Sequence, residues 1–168
     1  MTPRLRKLLL VLHISPSVGS LGAVTAYLAI GVAGMLSEDA LSARTAFLAM
    51  ELIGWLVVAP LIFLAFLTGL AQSLLSEWGL FRTWWIAVKF VTTLVVIAVL
   101  VRTLAHAAEA IDMILAVSEL ADLRKHLVVH AAGGLVVLLG LTAVSIYRPW
   151  GLTPYGRARQ DRRGISSG

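Results

Sequence analysis

The stretch from Leu123 to Tyr147 limits the possible folds more than any other. It holds the apolar run LVVHAAGGLVVLLGLTAVSIY, with Arg124-Lys125-His126 before it and Tyr147-Arg148-Pro149-Trp150 at its end. At ~1.5 Å of rise per residue such a helix crosses a ~30 Å hydrocarbon layer. His130 is the one strongly polar group inside the run. At ~100° per residue, Gly133, Gly134 and Gly140 fall within ~80° of the His130 direction, so the imidazole is expected on a face where another backbone approaches closely.

Composition extends this reading to the whole chain. Of 168 residues, 59% are hydrophobic and 14% charged, with a mean hydropathy of +0.90, outside the balance of a soluble domain. The absence of cysteine excludes disulfides, thiolate metal sites and cysteine nucleophiles. A net charge of +5 raises the question of nucleic acid, but the basic residues stand at the ends of apolar spans, not along one helix face, so no nucleic-acid partner is expected.

Four spans are expected, near 8–36, 46–75, 80–104 and 123–147, forming an all-α four-transmembrane-helix bundle over residues 1–148. The first follows a basic leader, Met1 to Lys7, and is much longer than the ~7–15-residue core of a signal peptide, so it is expected to remain uncleaved. Pro16 should bend or reset its first turns. Ser37 to Thr45 forms a polar connection. The second span contains Glu51 and Pro60, whose missing N–H should kink it at the Leu56 carbonyl. Ser76-Glu77-Trp78-Gly79 closes that span. The third opens on Trp84 and Trp85 in the manner of an interfacial belt and carries Lys89 two turns inside, with Thr92 and Thr93 near the same face. Beyond it, Arg102 to Asp122 reads as an extramembrane or interfacial helical segment between spans three and four. Residues 149–168 read as a basic tail with partial disorder.

Placing both termini in the cytoplasm puts ten of the fourteen Lys and Arg residues inside and leaves Arg44, Arg102, Arg124 and Lys125 outside. Seven of the nine acids then lie on the outer side. Trp78-Gly79-Leu80 and Trp150-Gly151-Leu152 follow spans two and four, as two separate interfacial anchors or the trace of a duplicated hairpin would.

Ionisable groups within spans cost roughly 2.5–3.5 kcal/mol each at mid-membrane and call for a partner or a wet cavity. By helical rise, Glu51 and His130 lie ~8–11 Å from the outer boundary, and His13 and Lys89 ~8–12 Å from the inner one. Glu51 and His130 are expected to face the bundle interior within hydrogen-bonding reach, as an outer-leaflet binding or proton-accepting pair or as an interhelical bond that fixes the bundle. Lys89 and His13 form a separate inner layer, in which both can also reach the headgroups. His126 and His130 share a helix face at metal-compatible spacing, and His106 or Glu109 would supply a third ligand. Haem b between His13 and His130 is disfavoured by a ~12 Å offset along the membrane normal. No phosphate loop, nucleophile elbow or HExxH is present.

Leu12-His13 with Gly19 and Leu21-Gly22-Ala23, Met50-Glu51-Leu52 with Gly54-Trp55, Trp78-Gly79-Leu80, Trp85 with Lys89, His130-Ala131, and Tyr147-Arg148-Pro149 with Gly151 to Gly156 together resemble a family of uncharacterised bacterial four-span integral membrane proteins. The resemblance covers nearly the whole chain. It implies topology and a place in the bacterial inner membrane, and no activity. A fainter similarity to copper-resistance D type membrane proteins rests on Leu12-His13 and Leu21-Gly22-Ala23, without a methionine-rich or HxM motif.

Two functions from different classes fit these residues. One is a non-enzymatic scaffold or small binding or transport component, whose small-residue faces also suit oligomers or a membrane-protein partner. The other is a haem b- or copper-binding redox protein using the outer histidines.

Overall fold

The structure, a computed structural model, describes residues 2–75, 82–113, 119–148 and 150–158, of which 107–113 and 119–124 are described in backbone only. Over these residues the chain is all-helical, with α1 (Pro3–Leu36), α2 (Ala40–Ile53), a π turn (Gly54–Val58), α3 (Ala59–Leu75), α4 (Trp84–Met113) and α5 (Glu119–Tyr147). Four stretches, Pro3–Leu36, Ala40–Leu75, Trp84–His106 and Lys125–Tyr147, are long and apolar enough to cross a membrane. The second is α2, the π turn and α3 in continuous succession. The extra helical length expected past span three is present, since α4 runs on to Met113 and α5 begins at Glu119. The Trp78-Gly79-Leu80 half of the internal echo lies outside the described residues.

Thr2 caps α1 and Pro3 occupies its first turn, where the missing proline N–H costs nothing. The helix then runs unbroken through Pro16. Its buried residues, Pro16, Ser20, Val24, Tyr27, Gly31 and Gly34, recur every three or four positions and so form one stripe. α1 packs through it against α2, α3 and α5, while α4 packs against α3 and α5. A Cβ on Gly31 would lie 2.9 Å from Met50 Cε and 3.0 Å from Val128 Cγ2. One on Gly34 would lie 2.8 Å from Ala46 Cβ, so only glycine lets these helices meet. Around this contact Val24, Tyr27, Phe47, Met50, Val58, Ile62, Leu127 and Ala131 form the core.

Three expectations need correction. The polar connection between the first two spans is only Ser37 to Asp39, because the Asp39 carboxylate accepts bonds from the Ser42 hydroxyl (2.6 Å) and N–H (2.8 Å) and starts α2 at Ala40. Gly133, Gly134 and Gly140 do not receive another helix, since nothing lies within 4 Å of a Cβ built on any of them. The partial disorder expected of the tail does not include residues 150–158, which are ordered, while 159–168 lie outside the described residues. Thr83 and Leu152 pair as an antiparallel bridge, and Thr153 N–H donates to the Arg82 carbonyl (2.9 Å). The Thr153 hydroxyl then accepts from Gly156 N–H and caps the turn at 154–158. Gly156 is required there, as a Cβ would fall 2.3 Å from the Arg82 carbonyl oxygen.

The expected kink at Pro60 takes the form of a π turn. Proline removes the donor to the Leu56 carbonyl and its ring crowds that turn, and widening the helix so that Ala59 N–H reaches Gly54 relieves both effects. Helical hydroxyls are hidden in a regular way. Ser17, Thr25, Thr45, Thr68, Thr93, Thr142 and Ser145 each donate to the carbonyl four residues earlier, which satisfies these donors within their own helices.

Two outcomes follow. Gly34→Ala should destabilise the bundle by about 1–3 kcal/mol through overpacking against Ala46, whereas Gly140→Ala should be neutral or stabilising by up to about 1 kcal/mol from helix propensity alone. Unfolding of both variants in mild detergent checks this, and equal effects would refute the packing. At the α2 cap, the bonds from Ser42 hold the Asp39 carboxyl below its ordinary value. Its contribution is therefore present above the unfolded carboxylate range and lost as pH falls through the lowered value. Ser42→Ala should raise the Asp39 titration midpoint, as read by carboxyl NMR.

Candidate functional site

The antiparallel helices give the bundle two ends, one bearing Thr2, Leu75, Trp84 and Tyr147 and the other bearing Ser37 to Asp39. We call the first the terminal end and the second the loop end. The pair expected near the loop end does not form. His130 is exposed and its Nδ1–H donates to the carbonyl of His126 on its own helix at 2.7 Å. Glu51 is half-buried, and no hydrogen bond joins its carboxylate to His130 or to any other described residue. The reason lies in helix phase. Met50, the neighbour of Glu51, is fully buried against α1, and this turns the carboxylate toward the flank of α2. The His126 and His130 rings are 6.2 Å apart and tilted by 40°. His106 does not join them, and no group of three His, Asp or Glu side chains with metal-binding proximity occurs among the described residues. Glu109 belongs to the segment described in backbone only.

The inner-layer residues, in contrast, are brought together from all four passes. His13 Nδ1 lies 3.0 Å from the Ala65 carbonyl and 3.3 Å from Thr68 Oγ1. A carbonyl only accepts, so Nδ1 carries the proton, and in the neutral ring Nε2 is left as an acceptor. The ring lies against Gly69, where a Cβ would come within 2.8 Å of His13 Cε1. Gly69 therefore belongs with His13. Across the bundle Lys89 Nζ donates to Ser145 Oγ, whose own hydroxyl is committed to the Leu141 carbonyl. Lys89 is also close enough to act electrostatically on His13. Phe66 stacks on Phe90 at 5.3 Å beside this layer and fixes α3 against α4. One turn nearer the terminal end, the Arg148 guanidinium sits 5.4 Å over the Trp85 ring.

A cavity of about 320 Å³ opens in the loop-end half of the bundle. Val24 and Tyr27 of α1, with Val58 and Ile62, form its floor, and Val96, Leu100, Leu104, Leu127 and Leu138 are among its walls. Its rim includes the exposed Val95, Val99 and Val129 of α4 and α5. Tyr27, Thr103 and His130 are the polar side chains that line it. Periodicity alone could not reveal this space. It exists because Gly133 and Gly134 offer no side chain to fill it and because no residue in the most apolar window of α4 is fully buried. The glycine pair opposite a valine-rich span was the available signal.

Comparisons with protein-family models, with curated proteins and with solved structures found no match.

The two polar layers should respond differently to mutation. Ser145→Ala removes the Lys89 acceptor and should cost about 1–3 kcal/mol, while His130→Ala, on an exposed face, should stay within about 0.5 kcal/mol. Unfolding midpoints of the two variants check this, and the opposite ranking would restore the loop-end pair.

Proposed function

We propose that this chain is a multi-pass protein of the bacterial inner membrane, with both termini cytoplasmic, that binds the hydrocarbon chain of a small lipid-like molecule without catalysing its conversion. The observation that carries the reading is the cavity. Its volume of about 320 Å³ lies in the range of ligand pockets, and its lining is almost wholly aliphatic. The rim at Val95, Val99 and Val129 faces outward, so a ligand enters sideways from the bilayer. Ten of fourteen basic residues at the terminal end support a cytoplasmic location for that end. The resemblance to four-span proteins of unknown function agrees with the topology and adds no activity.

Orientation is testable because the chain has no cysteine. Ser42→Cys should be labelled by an impermeant maleimide on intact cells, and Ser167→Cys only after permeabilisation. The reverse pattern would invert the protein.

Ligand binding is tested by native mass spectrometry of protein purified in mild detergent. Wild type should retain lipid, Gly134→Phe should fill the cavity and lose at least about ten-fold of it, and Val136→Phe, on the exposed outer face, should not. Equal retention by Gly134→Phe would end the cavity reading. An absorption spectrum of the same sample tests the redox alternative: a Soret band or stoichiometric copper that disappears in His130→Ala would replace lipid binding with haem or metal binding at the loop-end histidines.

A further inference from the structure

Below the cavity, toward the terminal end, the seam between α4 and α5 carries two contacts in register. Lys89 Nζ donates to Ser145 Oγ, and one turn lower Arg148 covers Trp85. The ammonium has three donors, and Ser145 takes one. No carboxylate meets Lys89 among the described residues, and the other ionisable group that acts on this layer, His13 of α1, is not an acid. Glu77 and Asp161, the acids that the sequence assigns to this end, lie outside the described residues. A half-buried cation in apolar surroundings is costly to keep charged and is stabilised by a counter-charge. The lysine side chain also points toward the end of the bundle, because its acceptor Ser145 is only three residues from Arg148.

We propose that this seam binds an anionic phospholipid, with its phosphate between Lys89 and Arg148 and one acyl chain rising into the cavity. The proposal rests on the cavity reading and names the headgroup class. A phosphate is matched by the planar guanidinium and by the free donors of the ammonium, and basic pockets between spans on the cytoplasmic side select anionic headgroups. The lengths agree. Val95 stands six residues above Lys89, ~9 Å by helical rise, within the ~15 Å that a chain covers in half of a ~30 Å hydrocarbon layer. Docking of 150–158 onto Arg82 to Trp84 holds the start of α4 against the end of α5, and so keeps both cation-bearing positions in register.

The test uses the full chain in mild detergent with phosphatidylglycerol and phosphatidylcholine of identical acyl chains, and with inorganic phosphate as competitor. At about five-fold per cation, wild type should retain phosphatidylglycerol about 30-fold better than phosphatidylcholine. Lys89→Gln and Arg148→Gln should each reduce that ratio about five-fold, with a smaller loss of phosphatidylcholine, whose phosphate is offset by its choline, and Lys89→Arg should preserve it. Gly134→Phe should lower retention of both lipids. Equal retention of the two lipids by wild type overturns the headgroup assignment and leaves the cavity reading intact. Phosphatidylglycerol retention that survives Gly134→Phe undiminished removes the chain from the cavity. A preference unchanged in both Lys89→Gln and Arg148→Gln, or displacement of phosphatidylglycerol by millimolar inorganic phosphate, also refutes the proposal, the latter because the site would then be one for free phosphate.

Discussion

The bundle depends on how closely α1 approaches its neighbours. Between helices in an apolar medium there is little hydrophobic gain from association, and stability comes from van der Waals contact that grows as the backbones close. Gly31 and Gly34 allow that approach, one against Met50 and Val128, the other against Ala46 and Phe47. A single stripe on α1 therefore serves three partners. It also sets the rest of the interior. The same stripe carries Val24 and Tyr27 to the cavity floor and, nearer the terminal end, lays His13 on Gly69. A side chain at either glycine would push α1 outward and disturb both regions together.

α4 is placed by different means. No residue of its most apolar window is fully buried. Its position is fixed at separated points: Leu104 beside Gly54 near the loop end, Phe90 on Phe66, Lys89 on Ser145, and the pairing of Thr83 with Leu152 at the terminal end. Spaced anchors leave room between them, and the cavity occupies that room. Gly54 opens the π turn that accommodates Pro60, so one local distortion both relieves the proline and admits Leu104.

Polar groups follow a strict economy. Hydroxyls return to their own helix, and the clearest cross-helix polar bonds within the bundle are concentrated in the layer of His13, Thr68, Lys89 and Ser145. That layer joins all four passes at one level, whereas the polar groups toward the loop end remain dispersed. His130 bonds within α5, and the Glu51 carboxylate has no hydrogen-bond partner among the described residues. The asymmetry bears on the proposed headgroup site, because Lys89 of this layer lies one turn from Arg148, whereas the polar groups toward the loop end are scattered.

Hydropathy and length alone determined that the chain forms four long apolar helical passes, since unpaired backbone in an apolar medium leaves helix as the solution for each run. Local chemistry also fixed the distortion at Pro60, and Asp39 was a readable cap for α2. Depth, which depends only on residue count and rise, put His13 and Lys89 in one layer. What the sequence left open was rotation of each helix about its axis. Depth put Glu51 and His130 at one level, yet burial of Met50 against Gly31 turned one away, and the fit of α5 left the other exposed. The same freedom hid the cavity and the docking of the tail. Rotation and register are set by side chains from several helices meeting at once, and only the tertiary structure decided them.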